Sequence, residues 1–80
     1  MSGLRRLSAP RRVMVGAALD GTPLRVAGRA VDAIRETWLL EDRWWTETPL
    51  RRRYWEVVLD NGANRLVFHD LTGGQWWMQG

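Results

Sequence analysis

Val13, Val15, Ala17 and Leu19 recur at every second position, a spacing that puts them on one face of an extended strand. Asp20-Gly21-Thr22-Pro23 then supplies turn chemistry: glycine accepts positive φ and proline pre-sets its own. Leu24 and Val26 resume the alternation and Gly28 ends it, so the stretch reads as a hairpin. From Ala30 to Leu40 two periods compete. Val31, Ile34 and Trp38 form a helical stripe, whereas Ile34, Glu36, Trp38 and Leu40 share one face of a strand. A helix here would be short and poorly capped, which favours a strand, bulged near Ala33–Ile34.

Glu41 to Arg52 is expected as a connection that carries Trp44 and Trp45. Arg53 to Asp60 is the clearest strand, with Trp55, Val57 and Leu59 on one face and Tyr54, Glu56 and Val58 on the other. Asp60-Asn61-Gly62-Ala63-Asn64 carries the Asn-Gly hairpin signal. The next strand, Arg65 to Asp70, is expected to turn Leu66 and Phe68 inward. Thr72-Gly73-Gly74 forms a second tight turn before a last strand over Gln75–Gln79. Asp70 is expected to open that turn with a side-chain-to-backbone hydrogen bond. The pattern predicts an all-β fold of SH3-like size, a small antiparallel barrel or rolled sheet of five or six strands.

Composition narrows the chemistry. In 80 residues there is no Cys and one His, which excludes a disulfide framework, a thiolate nucleophile and sulfur-ligated metal. No metal or other cofactor is expected. His69 and Asp70 are adjacent in a strand and so point to opposite faces, which leaves no catalytic dyad. An enzyme is not expected. No apolar run approaches the ~20 residues of a membrane helix and no signal peptide is evident. A cytoplasmic protein without membrane contact is the expectation.

Charge changes the picture by its position. All twelve basic residues are Arg, against nine acids, and the pI is about 11.0. Arg5, Arg6, Arg11 and Arg12 lie in a period-free opening stretch, whereas from Val13 to Gly80 eight Arg face nine acids. Residues 1–12 therefore read as a flexible basic arm, and residues 13–80 as one small, nearly neutral domain.

Six Trp is a large aromatic load for this length. Strand alternation forbids burying them all on one face: with Trp76 and Met78 inward, Trp77 and Gln79 point outward, and an extended Trp44–Trp45 pair divides likewise. Rings outside the core form a second cluster or an exposed interaction patch. Trp44, Trp45, Arg51, Arg52, Arg53, Tyr54 and Trp77 are the candidate partner-binding residues, because guanidinium planes stack on rings and pair with carboxylate or phosphate. The competing structural reading pairs the Arg51–Arg53 run with Glu41, Asp42 and Glu47. An alternative function uses Arg5, Arg6, Arg11, Arg12, Arg51 and Arg53 to bind single-stranded nucleic acid. A partly open rolled sheet also leaves an edge strand through which copies of the chain could associate.

One ordered set of motifs resembles a known family. It runs from Val31, Ile34 and Trp38 through Trp44-Trp45 to Arg53-Tyr54-Trp55 with Val57, Leu59 and Gly62. Phe68 and Asp70 follow, then Gly74, Trp76 and Gly80. Over residues 12–80 this is similar to the C-terminal domain of ImuB-like proteins, inactive relatives of Y-family polymerases, and to small stand-alone bacterial proteins sharing that domain. The resemblance implies an accessory role in translesion synthesis and DNA-damage tolerance, through contacts with a repair polymerase assembly. It implies no catalytic residues.

Overall fold

The computed structural model describes residues 9–42, 45–47 and 49–79. They contain seven strands and no helix: β1 (Arg11–Arg12), β2 (Val15–Ala17), β3 (Pro23–Val26), β4 (Arg29–Asp42), β5 (Leu50–Leu59), β6 (Asn64–Asp70) and β7 (Trp76–Gln79). All pair antiparallel in one sheet of order β1-β7-β6-β5-β4-β3-β2. Consecutive β1 and β2 sit at opposite ends of that order yet are joined only by Val13 and Met14. A link this short spans about 10 Å, so the sheet must curl until its ends approach, which makes a half-barrel.

The inner face of the curl holds the main core. Val26, Trp55, Val57, Leu59 and Val67 are buried there, with Val13, Val15, Val31, Trp76 and Met78 packed against them. The expected assignments of Trp55, Val57 and Leu59, and of Trp76 with Met78, are met. On β6 the expectation is corrected. Val67 enters this core, whereas Leu66 and Phe68 lie on the outer face, directly across from Glu56 and Tyr54. Leu66, Val67 and Phe68 form an unbroken apolar run, and such a run does not reveal which face is inner.

The seventh strand is one the pattern missed. Arg11 and Arg12, assigned to the arm, pair with Met78 and Trp77, and the Val13 amide extends the ladder to the Trp76 carbonyl at 3.2 Å. Arg5 and Arg6 lie outside the described residues. The first hairpin is also shorter than its alternation suggests. The Asp20 carboxylate accepts a 2.9 Å bond from the Thr22 amide, which holds its pKa below the ordinary value. Gly21 takes φ 93°. The turn thus begins at Ala18, whose carbonyl accepts from the Gly21 amide, and Leu19 is carried out into solvent.

β4 is a strand throughout, so the helical alternative for Ala30–Leu40 falls. Its pairing with β5 slips between Val31 and Ala33 and again between Ile34 and Glu36, bulges that leave Asp32 and Arg35 as extra residues. Beyond them the ladder is regular to Asp42, opposite Leu50. Glu41–Asp42 and Leu50–Arg52, expected in a connection, are therefore ladder residues. Their polar side chains hid a strand that is paired without being buried. The Asp60–Ala63 loop and the Asp70 turn form as expected: the Ala63 amide donates to Asn61 Oδ1 at 3.1 Å, and Asp70 Oδ1 accepts from Thr72 and Gly73 at 2.9 and 3.2 Å.

Candidate functional site

The outer face carries a row of rings at one level of the sheet. Trp38 is directly opposite Tyr54, Tyr54 opposite Phe68, Phe68 opposite Trp77, and Trp77 opposite Arg12. Trp38 and Tyr54 stack with centroids 5.2 Å apart and planes 4° from parallel. Tyr54 meets Phe68 tilted at 5.0 Å, and Phe68 stacks on Trp77 at 6.4 Å. The sheet's pleat creates the row, since directly opposed residues share a face.

Two guanidinium groups belong to it. Arg12 lies 5.6 Å from the Trp77 ring centroid. Arg52, one pleat above the row, lies 4.4 Å over Phe68, and its Nη1 donates to the Tyr54 hydroxyl at 3.2 Å. Its Nε is buried with no hydrogen-bond partner among the described residues. Arg52, Phe68 and Trp77, with Pro10 and Asp70, line an open cavity of about 180 Å³. Under this cover Phe68 is 2% and Tyr54 8% exposed. The middle of the row is a second small core, and its faces are not open to a stacking ligand.

The row is open at the β4 end. Trp38 is 38% exposed, and every residue from Asp32 to Asp42 is exposed, on both faces of the strand. Ile34, Leu39 and Leu40 are exposed large hydrophobics on the same strand. The cause is topological. β3 pairs with β4 only at Arg29 and Ala30, so beyond Val31 the edge of β4 opposite β5 has no strand beside it among the described residues.

The structure divides the sequence candidates. Arg52, Tyr54 and Trp77 come together on the outer face. Arg51 and Arg53 project to the other side, in alternation with Arg52. Arg51 Nε pairs with Glu41 Oε2 at 2.9 Å, both side chains half exposed, which is the structural reading of that residue. Arg53 sits between Leu39 and His69. Trp45 is 65% exposed in the connection after β4; Trp44 lies outside the described residues. Sequence reasoning missed Trp38, Leu39 and Leu40 as surface candidates, and missed Phe68 as the hub of the outer row. The signal for Trp38 was present in the strand reading, which already set it beside Glu36 and Leu40.

His69 stacks on Trp76 at 4.5 Å on the inner side, while Asp70 faces the outer cavity. The two are separated by the sheet, as alternation requires. Among the described residues no group of three or more His, Asp or Glu is placed to hold a metal ion, and no helix is long and apolar enough to cross a membrane. No protein family matches the chain, and neither a curated protein nor a solved structure does.

Proposed function

We propose that this chain is a non-enzymatic interaction module that takes hold of a protein partner along the free edge of β4. The observation that carries the reading is the edge itself. From Asp32 to Glu41 the strand is exposed on both faces and has no strand beside it on one side among the described residues, and it presents Trp38 and Leu40 on the outer face and Leu39 on the inner. Natural sheets protect long apolar edges, because unsatisfied amides and carbonyls recruit another strand. An edge left open beside aromatic side chains suits strand addition, in which the backbone supplies affinity and side-chain pockets supply specificity. The resemblance to ImuB-like C-terminal domains supports a setting in bacterial DNA-damage tolerance, with a translesion or repair polymerase assembly as the partner.

The test places a photo-crosslinking side chain at Leu39 and, as a control, at Asn61 in the far hairpin loop, in cells before and after DNA damage. A replication or repair protein joined at Leu39 and not at Asn61 is the expected outcome. Equal labelling from both positions, or none from Leu39, removes the reading.

A second reading, single-stranded nucleic-acid binding, draws on Arg12 and Arg52 lying over Trp77 and Phe68. Its signature is affinity that falls steeply with salt. Titration of a labelled oligonucleotide at low and high salt, with Arg12→Ala beside the unaltered chain, decides it. No binding at low salt eliminates this reading.

A further inference from the structure

The exposed edge of β4 has two unlike halves. Val31 to Arg35 contains both bulges, and the extra residues there are charged, Asp32 and Arg35. Bulges twist an edge away from neighbours, and charges make it an unwelcome template. From Glu36 to Asp42 the ladder is unbroken, and only this half offers a regular template to an incoming strand. On its outer face are Glu36, Trp38, Leu40 and Asp42; on the inner side are Thr37, Leu39 and Glu41.

Glu36 has an unusual neighbour. It stands directly across the sheet from Glu56, and Glu56 is in turn opposite Leu66. Like charges placed directly opposite each other destabilise a sheet. Neither carboxylate has an ion-pair partner among the described residues, where Arg29–Asp60 and Arg51–Glu41 are the pairs seen. The two negative charges therefore meet at the outer rim of the template, next to the exposed face of Trp38.

We propose that the occupant of this edge is an extended segment of another protein, running antiparallel to β4, with a basic side chain opposite Glu36 and apolar side chains opposite Trp38 and Leu40. This rests on the edge reading above and adds the partner's chemistry. In an added strand the residue opposite Glu36 lies on the same face, so a Lys or Arg there meets Glu36 directly, with Glu56 next in the same row one strand further on. Two residues along, an aromatic side chain opposite Trp38 extends the ring row by one strand. Two further along, an aliphatic one covers Leu40. Read in its own chain direction, the segment is apolar, any, aromatic, any, basic. A second copy of this chain fits worse. Antiparallel self-pairing centred on the template sets Glu36 against Asp42, and the adjacent register that keeps the faces matched sets it against Leu40, so neither gives Glu36 a basic neighbour.

The probe is the synthetic peptide Thr-Leu-Val-Phe-Thr-Arg-Thr, capped at both ends, beside a version with Glu in place of its Arg. Binding is followed by amide exchange in β4 and by tryptophan fluorescence. The expected result is slowed exchange within Glu36–Leu40 and a preference for the Arg peptide of roughly three- to thirtyfold, from one charge meeting two carboxylates. In the double variant Glu36→Gln, Glu56→Gln that preference is expected to vanish while β4 protection by either peptide persists. Protection by both peptides with equal affinity for the unaltered chain overturns the basic partner and leaves the edge reading intact. No protection of β4 by either peptide overturns both. A stable dimer in sedimentation whose β4 amides are already protected assigns the edge to a second copy and overturns the present assignment.

Discussion

The two faces of the sheet are built from different materials. On the inner face Val26, Val57, Leu59 and Val67 enclose Trp55, which meets Trp76 with ring centroids 5.2 Å apart. This cluster is closed by the β2–β3 hairpin and by Val13. On the outer face four rings stand in line, roofed by a guanidinium at Phe68 and left open at Trp38. Aliphatic packing is non-directional and rewards closure. Ring stacking is directional and continues wherever another ring can be set in register. The inner face thus supplies a fold, and the outer face supplies a fold in its middle with an unfinished row at its end.

Substitutions separate these contributions. Trp55→Ala removes the buried tryptophan of the closed face and is expected to cost about 3–5 kcal/mol, read as a large drop in the urea midpoint or as a chain that no longer folds. Phe68→Leu keeps an apolar filler of nearly the same volume but ends the stack with Tyr54 and Trp77 and the cover by Arg52. A loss of about 1–1.5 kcal/mol is expected. If Phe68→Leu cost as much as Trp55→Ala, the outer row would be a principal core and the contrast between the faces would collapse. Trp38→Ala is expected to cost only about 0.5–1 kcal/mol, since one exposed stacked pair is lost, while crosslinking at Leu39 falls to the level of the control. Retention of that crosslinking would detach the open end of the row from partner capture.

The readable part of this architecture follows from its turns. Counting outward from Asp60-Asn61-Gly62 sets Tyr54 against Phe68, and counting from Thr72-Gly73-Gly74 sets Phe68 against Trp77, as the structure has them. Three rings of the outer row were therefore legible in principle from two hairpin signals. The fourth was not. Trp38 reaches Tyr54 across a hairpin whose connection has no turn signature, and the bulges at Asp32 and Arg35 break the count from the other end. The edge was hidden for another reason. β3 pairs with β4 only at Arg29 and Ala30, and the tight turn that sets this register is at Ala27-Gly28, where alanine stands in the position usually held by Asn, Asp or Gly. The Arg51–Arg53 run looked like one platform because sequence places its members side by side; a strand sends them to alternate faces.

That same turn makes a smaller test of the inner face. Ala27 has φ 51° and Gly28 φ 84°, the two left-handed residues of a two-residue hairpin loop between paired Val26 and Arg29. The left-handed conformation is unfavourable for alanine and tolerated by asparagine. Ala27→Asn is expected to stabilise the fold by about 0.5–1 kcal/mol, seen as a higher urea midpoint with an unchanged slope. The gain belongs to the inner face alone, because the hairpin carries Val15 and Val26 over Val57 and Val67. Combined with Phe68→Leu it should add without coupling; a coupled response would mean that the faces fold as one unit.

The smallest effect lies at the hairpin's other turn. The Thr22 amide holds the Asp20 carboxyl below its ordinary pKa, so the charged form is favoured in the folded state. A lowered folded pKa contributes stability that is full above the unfolded value, about 3.9, and fades as pH falls through the folded one. Asp20→Asn keeps an acceptor oxygen but does not titrate there. The difference in urea midpoint between the unaltered chain and Asp20→Asn should stay constant from roughly pH 7 to pH 5 and shift in favour of the variant below pH 4. A difference that is flat throughout would show that the hydrogen bond does not depend on the charge. The hairpin would then close the inner face by backbone geometry alone.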